Sequence, residues 1–159
     1  MLEINLAVID ELPLVIIDVQ RGGPSTGLPT KSEQTDLLQA LYGRNGESPM
    51  PVIAATSPTN CFDAAYMACK IALEHLILLT DGFIANGSAA WRLPDINALP
   101  SIHPHYATPE MKGAYSPYKR DPKTDARYWA VPGQEGYEHI IGGLEKDSET
   151  GVISTEPDN

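Results

Sequence analysis

The stretch V15-IIDVQRGGPSTGLPTKSEQT-D36 decides how the rest of the chain is read. Its first half, within "PLVIIDV" (13–19), is a continuous apolar run with no polar alternation. Such runs suit strands covered on both faces, as in parallel sheets. The run stops at Gln20, presents Arg21, and enters a loop of glycines and prolines. Thr30 followed by Glu33 matches a capping box, which predicts a helix from near Lys31, with Gln34, Leu37, Leu38 and Leu41 on one face.

Two further apolar runs, "PVIAAT" (51–56) and "LILLT" (76–80), flank a second helical pattern. Ser57-Pro58 gives that helix an N-cap with proline at its first position. Phe62, Ala65, Tyr66, Cys69, Ala72 and Leu73 recur at helical spacing. Strand, helix, strand, helix, strand predicts a three-layer α/β domain with a parallel sheet over residues 1–91. Polar residues follow each strand: Gln20-Arg21, Thr56-Ser57 and Thr80-Asp81. In open parallel sheets, ligands bind at that edge. One junction is abrupt, because the helical pattern reaches Glu74-His75 and the strand starts at Leu76 with no turn residue between. Either the helix ends early or residues are missing between His75 and Leu76.

Residues 92–159 carry eight of the fourteen prolines and no clear period, yet hold Tyr106, Tyr115, Tyr118, Tyr128, Trp129 and Tyr137. Disordered linkers are poor in aromatics. The segment is expected to be an irregular, extended arm that packs against something, another subunit included. "YKRDPKTDAR" (118–127) reads as a solvated mixed-charge face.

At 159 residues and 42% apolar composition the chain can bury one core. Its net charge of −10 disfavours nucleic acid and anionic lipid as partners. No apolar run approaches a membrane span, and no basic n-region marks a signal peptide. Cys61 and Cys69 fit no common metal spacing and are read as free thiols of a cytoplasmic protein.

A protein of this charge must take an anionic substrate through a local cation, and Arg21 is one of eleven Lys and Arg residues. Gly22, Gly23 and Gly27 let backbone approach a ligand, Pro24 and Pro29 stiffen the loop, and Ser25, Thr26 and Thr30 add hydroxyls. Together they compose an anion cradle in which the Arg21 fork suits a carboxylate. The same residues also fit a tight crossover with Arg21 paired to Asp18 or Asp36. Gly23-Pro-Ser25-Thr-Gly27 further matches the G-x-S-x-G elbow of serine hydrolases, with Asp81 and His103, His105 or His139 as partners in order. Leu28-Pro29 before the helix argues against an elbow. His103-Pro-His105 lacks neighbouring ligands for a metal, and Asp81 suits a cap or turn.

The blocks "ELPLVIIDVQRGGPSTGLPTKSEQTDLLQALYG", "MPVIAATSPTNCFDAAY", "LLTDGFIANGSAAW" and "GYEHIIGGLEKDSETG" resemble the alpha subunit of 2-oxoacid:ferredoxin oxidoreductases, the 2-oxoglutarate type above all. The resemblance implies the pyrimidine-binding domain of a thiamin diphosphate and Mg²⁺ enzyme that decarboxylates a 2-oxo acid oxidatively to an acyl-CoA. Iron–sulfur clusters and CoA belong to the wider complex, and ferredoxin takes the electrons. It also implies a beta subunit, with gamma and delta subunits in some complexes, and places the family's substrate-carboxylate arginine at Arg21, with Gly22, Gly23, Ser25 and Thr26 around it. The Tyr-Pro-Ile-Thr-Pro-type motif, the activating glutamate, the Gly-Asp-Gly metal–diphosphate motif and a cluster-ligating cysteine set are absent from these residues. The chain is therefore expected to be an internal piece, inactive alone, with neither catalytic nor metal residues of its own. A non-catalytic interaction module and a Ser25 hydrolase stand as the other readings.

Overall fold

The computed structural model describes residues 2–73 and 75–156, the side chains of Leu2 and His75 apart. The chain divides into two compact units, Met1–Ile102 and His103–Asn159.

The first unit holds a three-stranded parallel sheet of β1 (Leu14–Gln20), β2 (Val52–Ala54) and β3 (His75–Asp81), in the order β1-β3-β2. β1 and β3 run in register from Leu14 opposite His75 to Gln20 opposite Asp81, and Val52 of β2 lies opposite Ile77. The three apolar runs are thus the three strands, and the central β3 is covered on both faces, whereas β1 leaves Ile17 and Val19 exposed. Leu76 and Leu78 pack with Val15 and Ile53 against α3 (Cys61–Ile71), through Ala64 and Ala68, and against Ile84 of α4 (Gly82–Asn86). Ile77 and Leu79 face the other way, toward Ala40 of α2 (Leu37–Tyr42) and Ile4 and Val8 of α1 (Leu2–Ile9). Leu76 is fully buried. Leu76→Ala is expected to cost ~2–5 kcal/mol, through lost transfer energy and the cavity left behind, in denaturant unfolding of the chain.

Several sequence expectations need correction. The first helix does not start near Lys31. Thr30 takes a φ of +64°, no capping box forms, and α2 begins at Leu37 after Asp36, whose side chain makes no cap bond. Gln34 therefore lies in the loop, and Ala40, rather than Leu37, Leu38 or Leu41, is the buried residue of α2. Arg44 closes the other end of α2, donating to the carbonyls of Ala40, Leu41 and Ser48.

The second helix has the predicted period but a different phase. Ala64, Ala68 and Ala72 are buried, with Cys61, Ala65 and Ile71 packed beside them. Small side chains there let the helix axis approach the sheet closely. The bulky Phe62 turns away to meet Trp91, ring centroids 5.7 Å apart, and the Tyr66 hydroxyl donates to the Pro100 carbonyl. Ser57 caps as expected, its Oγ accepting from Asn60 N at 3.2 Å before a 3-10 turn at Pro58–Asn60 leads into α3. At the abrupt junction the helix ends early: Ala72 N donates to Ala68 O and β3 begins at His75, while Glu74 lies outside the described residues.

The second unit is not an extended arm. It has no helix or strand among the described residues beyond a 3-10 turn at Pro109–Met111 and isolated bridges, as its missing periodicity predicts, yet it packs on itself. Two hairpin loops repeat one design. Asp121 Oδ1 accepts from the backbone of Lys123 and Thr124 and from the Thr124 hydroxyl. Asp147 Oδ1 accepts likewise from Glu149, Thr150 and the Thr150 hydroxyl. The bridges Arg120–Arg127 and Lys146–Ile153 close the loops. Between them lies the buried Tyr118 ring, with the Arg127 guanidinium 5.3 Å from its centroid and the Lys146 ammonium 4.7 Å. Arg127 is only 6% exposed and also sits 4.3 Å over the Trp129 ring. The 118–127 run is thus partly interior, its cation held by aromatic faces. Tyr115 packs on Tyr137 and His139, and the Tyr137 ring is buried within the unit, whereas His139 and Tyr106 are exposed.

Candidate functional site

At the carboxyl edge of the sheet, β1 and β3 end side by side on Gln20 and Asp81, 6% and 3% exposed. Polar side chains at such depth must be hydrogen-bonded, and both are. Asp81 Oδ1 accepts from Phe83 N at 2.7 Å and Ile84 N at 2.9 Å, capping α4, while its Oδ2 accepts from Gln34 Nε2 at 2.5 Å. Gln20 Oε1 accepts from Asp36 N at 3.0 Å and its Nε2 donates to Thr80 O at 3.3 Å. Those bonds hold the Asp81 carboxyl below the usual range, the Ile84 backbone N–H foremost and the Gln34 amide next. A carboxyl lowered in the folded state stabilises fully above the ordinary aspartate range and ceases to do so as pH falls through its folded value. Asp81→Asn is accordingly expected to flatten the acid limb of a stability–pH profile below about pH 4, measured against the unsubstituted chain.

Between these anchors runs the loop that sequence singles out. Gly22 and Leu28 form an antiparallel bridge, with Leu28 N donating to Gly22 O at 2.8 Å, and Gly22 N donates to Lys31 O at 3.2 Å. The Gly23–Pro24 peptide is cis, and Ser25 and Gly27 take φ values of +56° and +46°. Arg21, Gly23, Ser25 and Thr26 are exposed, while the Gly22 backbone is buried beneath them. The structure therefore places the five predicted residues on one loop, closed by backbone bonds, at the carboxyl edge of the sheet.

Arg21 is exposed, and among the described residues its guanidinium meets no carboxylate at ion-pair distance. The two acids near it in sequence face a different neighbourhood. Asp18 is pushed up from its ordinary range, first by burial and then by the charge of Asp36. Both line a cleft of about 320 Å³ with Ile4, Ile16, Ala40 and Arg44. The crossover reading, in which Asp18 or Asp36 neutralises Arg21, is not what the structure contains.

The elbow arrangement is absent too. No helix follows Ser25 until Leu37, and both oxygens of Asp81 are engaged in capping and with Gln34. His139 Nδ1 lies 2.8 Å from the Tyr137 carbonyl, within its own unit. Among the described residues no three His, Cys, Asp or Glu side chains gather as a metal site, and no helix is long and apolar enough to cross a membrane. Sequence reasoning left Gln20 and Gln34 without a role, placing Gln34 on a helix. The signal that could have found them is an apolar strand ending in glutamine beside a second strand ending in aspartate.

Comparison with known proteins adds identity to this geometry. The family described as "Pyruvate flavodoxin/ferredoxin oxidoreductase, thiamine diP-bdg" matches residues 1–156. The 2-oxoglutarate oxidoreductase subunit KorA of Mycobacterium tuberculosis is 58% identical over 159 residues, covering 98% of this chain and 24% of that protein. The 2-oxoglutarate synthase subunit KorA of Methanothermobacter marburgensis is 36% identical over 95 residues, 58% of this chain and 25% of that one. A solved 2-oxoglutarate:ferredoxin oxidoreductase from Magnetococcus marinus, with 2-oxoglutarate, coenzyme A and succinyl-CoA bound, superposes with a TM-score of 0.83 at 30% identity. That match covers 98% of this chain and 27% of that one. The chain thus spans about a quarter of the length of the relatives it matches.

Proposed function

Because the chain belongs to the thiamine diphosphate-binding family of pyruvate flavodoxin/ferredoxin oxidoreductases, we propose that it is part of the alpha subunit of a 2-oxoacid:ferredoxin oxidoreductase of the 2-oxoglutarate type. The reaction joins a 2-oxo acid to CoA as an acyl-CoA, releases CO₂, and passes an electron pair through iron–sulfur clusters to ferredoxin. Arg21 carries the reading: a guanidinium exposed at the sheet's carboxyl edge, with no carboxylate at ion-pair distance among the described residues, on a loop closed by backbone bonds. Its planar fork is suited to the substrate carboxylate, with Gly22, Gly23, Ser25 and Thr26 shaping the approach.

Thiamin diphosphate with Mg²⁺ supplies the decarboxylation chemistry when bound. The described residues do not fit its metal–diphosphate end, since they gather no ligand set, and the Asp81 carboxylate is already committed to Gln34 and α4. We assign those contacts to the rest of the subunit and to a beta subunit, and assign this chain the substrate-facing wall and an intersubunit surface. A cytoplasmic location accompanies that assignment.

The test is 2-oxo acid-dependent reduction of ferredoxin by the assembled alpha and beta subunits. Turnover with 2-oxoglutarate that requires CoA and thiamin diphosphate is expected. An assembled complex that binds neither 2-oxo acid nor thiamin diphosphate would leave an interaction module in its place.

A further inference from the structure

We propose that Gln34 and Gln20 are positioning residues that hold Arg21 in place, Gln34 through the buried Asp81 carboxylate and Gln20 through the Asp36 backbone. The inference rests on the reading of Arg21 given above and extends it to residues that touch no substrate. Both glutamines act on the return limb of the arginine loop. Asp36 is sixteen residues beyond Gln20, so the side chain that ends β1 closes the loop that β1 opens. Two residues earlier, Gln34 donates to Asp81, the residue directly opposite Gln20 in the sheet. Without these anchors the limb 31–36 has no helix or strand to hold it. Loop closure on this scale costs entropy that the remaining bonds at Gly22, Leu28 and Lys31 must meet alone.

The Gln34–Asp81 bond is also one that a neutral pair cannot match. Its acceptor is a carboxylate oxygen of Asp81, a residue 3% exposed and fixed by two backbone donors of α4. Charge-assisted bonds of this kind are short and directional, which suits them to fixing position. The buried end of the sheet thereby dictates where the exposed arginine stands.

Reversing the pair's polarity in the assembled enzyme tests this. Gln34→Glu sets two carboxylates against each other and is expected to raise KM for 2-oxoglutarate on the order of tenfold, with kcat falling less. Adding Asp81→Asn to Gln34→Glu restores a donor facing an acceptor, while Oδ1 still caps α4, and KM is expected to return toward its original value. In an Arg21→Ala background, Gln34→Glu should raise KM no further, since the anchor acts through the arginine; a merely structural defect would add.

If Arg21→Ala raises KM and Gln34→Glu does not, the anchor is overturned and the reading of Arg21 stands. If Arg21→Ala leaves KM unchanged, that reading fails and takes the anchor with it. Should Gln34→Glu fail to assemble, Gln34→Leu removes the donor without adding charge and is expected to raise KM similarly. Failure of both to assemble would assign the pair to folding alone and overturn the proposal.

Discussion

Arg21→Ala, introduced into the assembled oxidoreductase, is expected to lower kcat/KM for the 2-oxo acid by ~2–5 kcal/mol, tens to thousands of fold. The magnitude follows from the charge balance. The chain carries a net charge of −10, so an incoming dianion such as 2-oxoglutarate approaches a surface that repels it. The guanidinium proposed to receive it is exposed and makes no ion pair among the described residues, so it need not first break one. Once the site closes around substrate, truncating one partner leaves the other charge desolvated and unmatched. Arg21→Lys should recover part of the loss, because it keeps the charge but cannot offer two parallel donors. An analogue with an amide in place of the carboxylate beside the keto group should be nearly indifferent to Arg21→Ala. Steady-state kinetics on the three variants and two substrates separates these cases.

Gly27→Ala is expected to disable the same loop from within. A β-carbon at Gly27 would stand 2.1 Å from the Gly22 carbonyl oxygen and 2.8 Å from the Gly23 α-carbon. Both contacts are with backbone, which cannot swing aside as a side chain would. The residue also has a φ of +46°, so alanine adds about 1–2 kcal/mol of conformational strain before the overlap is counted. Relief requires parting the strand-like pair at Gly22 and Leu28, and the 2.8 Å bond between them goes with it. We expect the assembled Gly27→Ala enzyme to lose most of its affinity for the 2-oxo acid and to become cleavable by protease within residues 22–31. Because the sheet is built without this loop, the melting temperature of the core should move less than the kinetics do.

The three strands were legible because each is a short, nearly unbroken apolar run, although only the central β3 is buried on both faces, at Leu76–Leu79, while Ile17 and Val19 of β1 are exposed. Direction and layer order followed from alternation with helices. The phase of α3 was not legible. Alanine and cysteine score as weakly apolar beside Phe62, Tyr66 and Leu73, yet close approach to the sheet favours the small residues, and Phe62 finds Trp91 instead. α2 was misplaced because a capping box describes a local preference that the Gln34–Asp81 bond overrides. Helices α1 and α4 were overlooked: each is short, and the Asn86-Gly87 turn masked the second. In the last third of the chain, cation–ring contacts and aspartate-closed hairpins take the place of periodic burial. Such contacts leave no repeating pattern in sequence. Arg21 stands exposed directly after β1, where the sequence places it, but the parts played by Gln20 and Gln34 were not legible. Their contacts join Gln34 to Asp81 and Gln20 to Asp36, pairings that depend on the fold having formed.

The most direct test is a structure of the assembled enzyme with a 2-oxo acid bound. The account predicts the Arg21 guanidinium within about 2.7–3.2 Å of both carboxylate oxygens, with Gln34 still on Asp81. A substrate carboxylate received by another cation, with Arg21 turned onto a carboxylate of its own subunit, would contradict it.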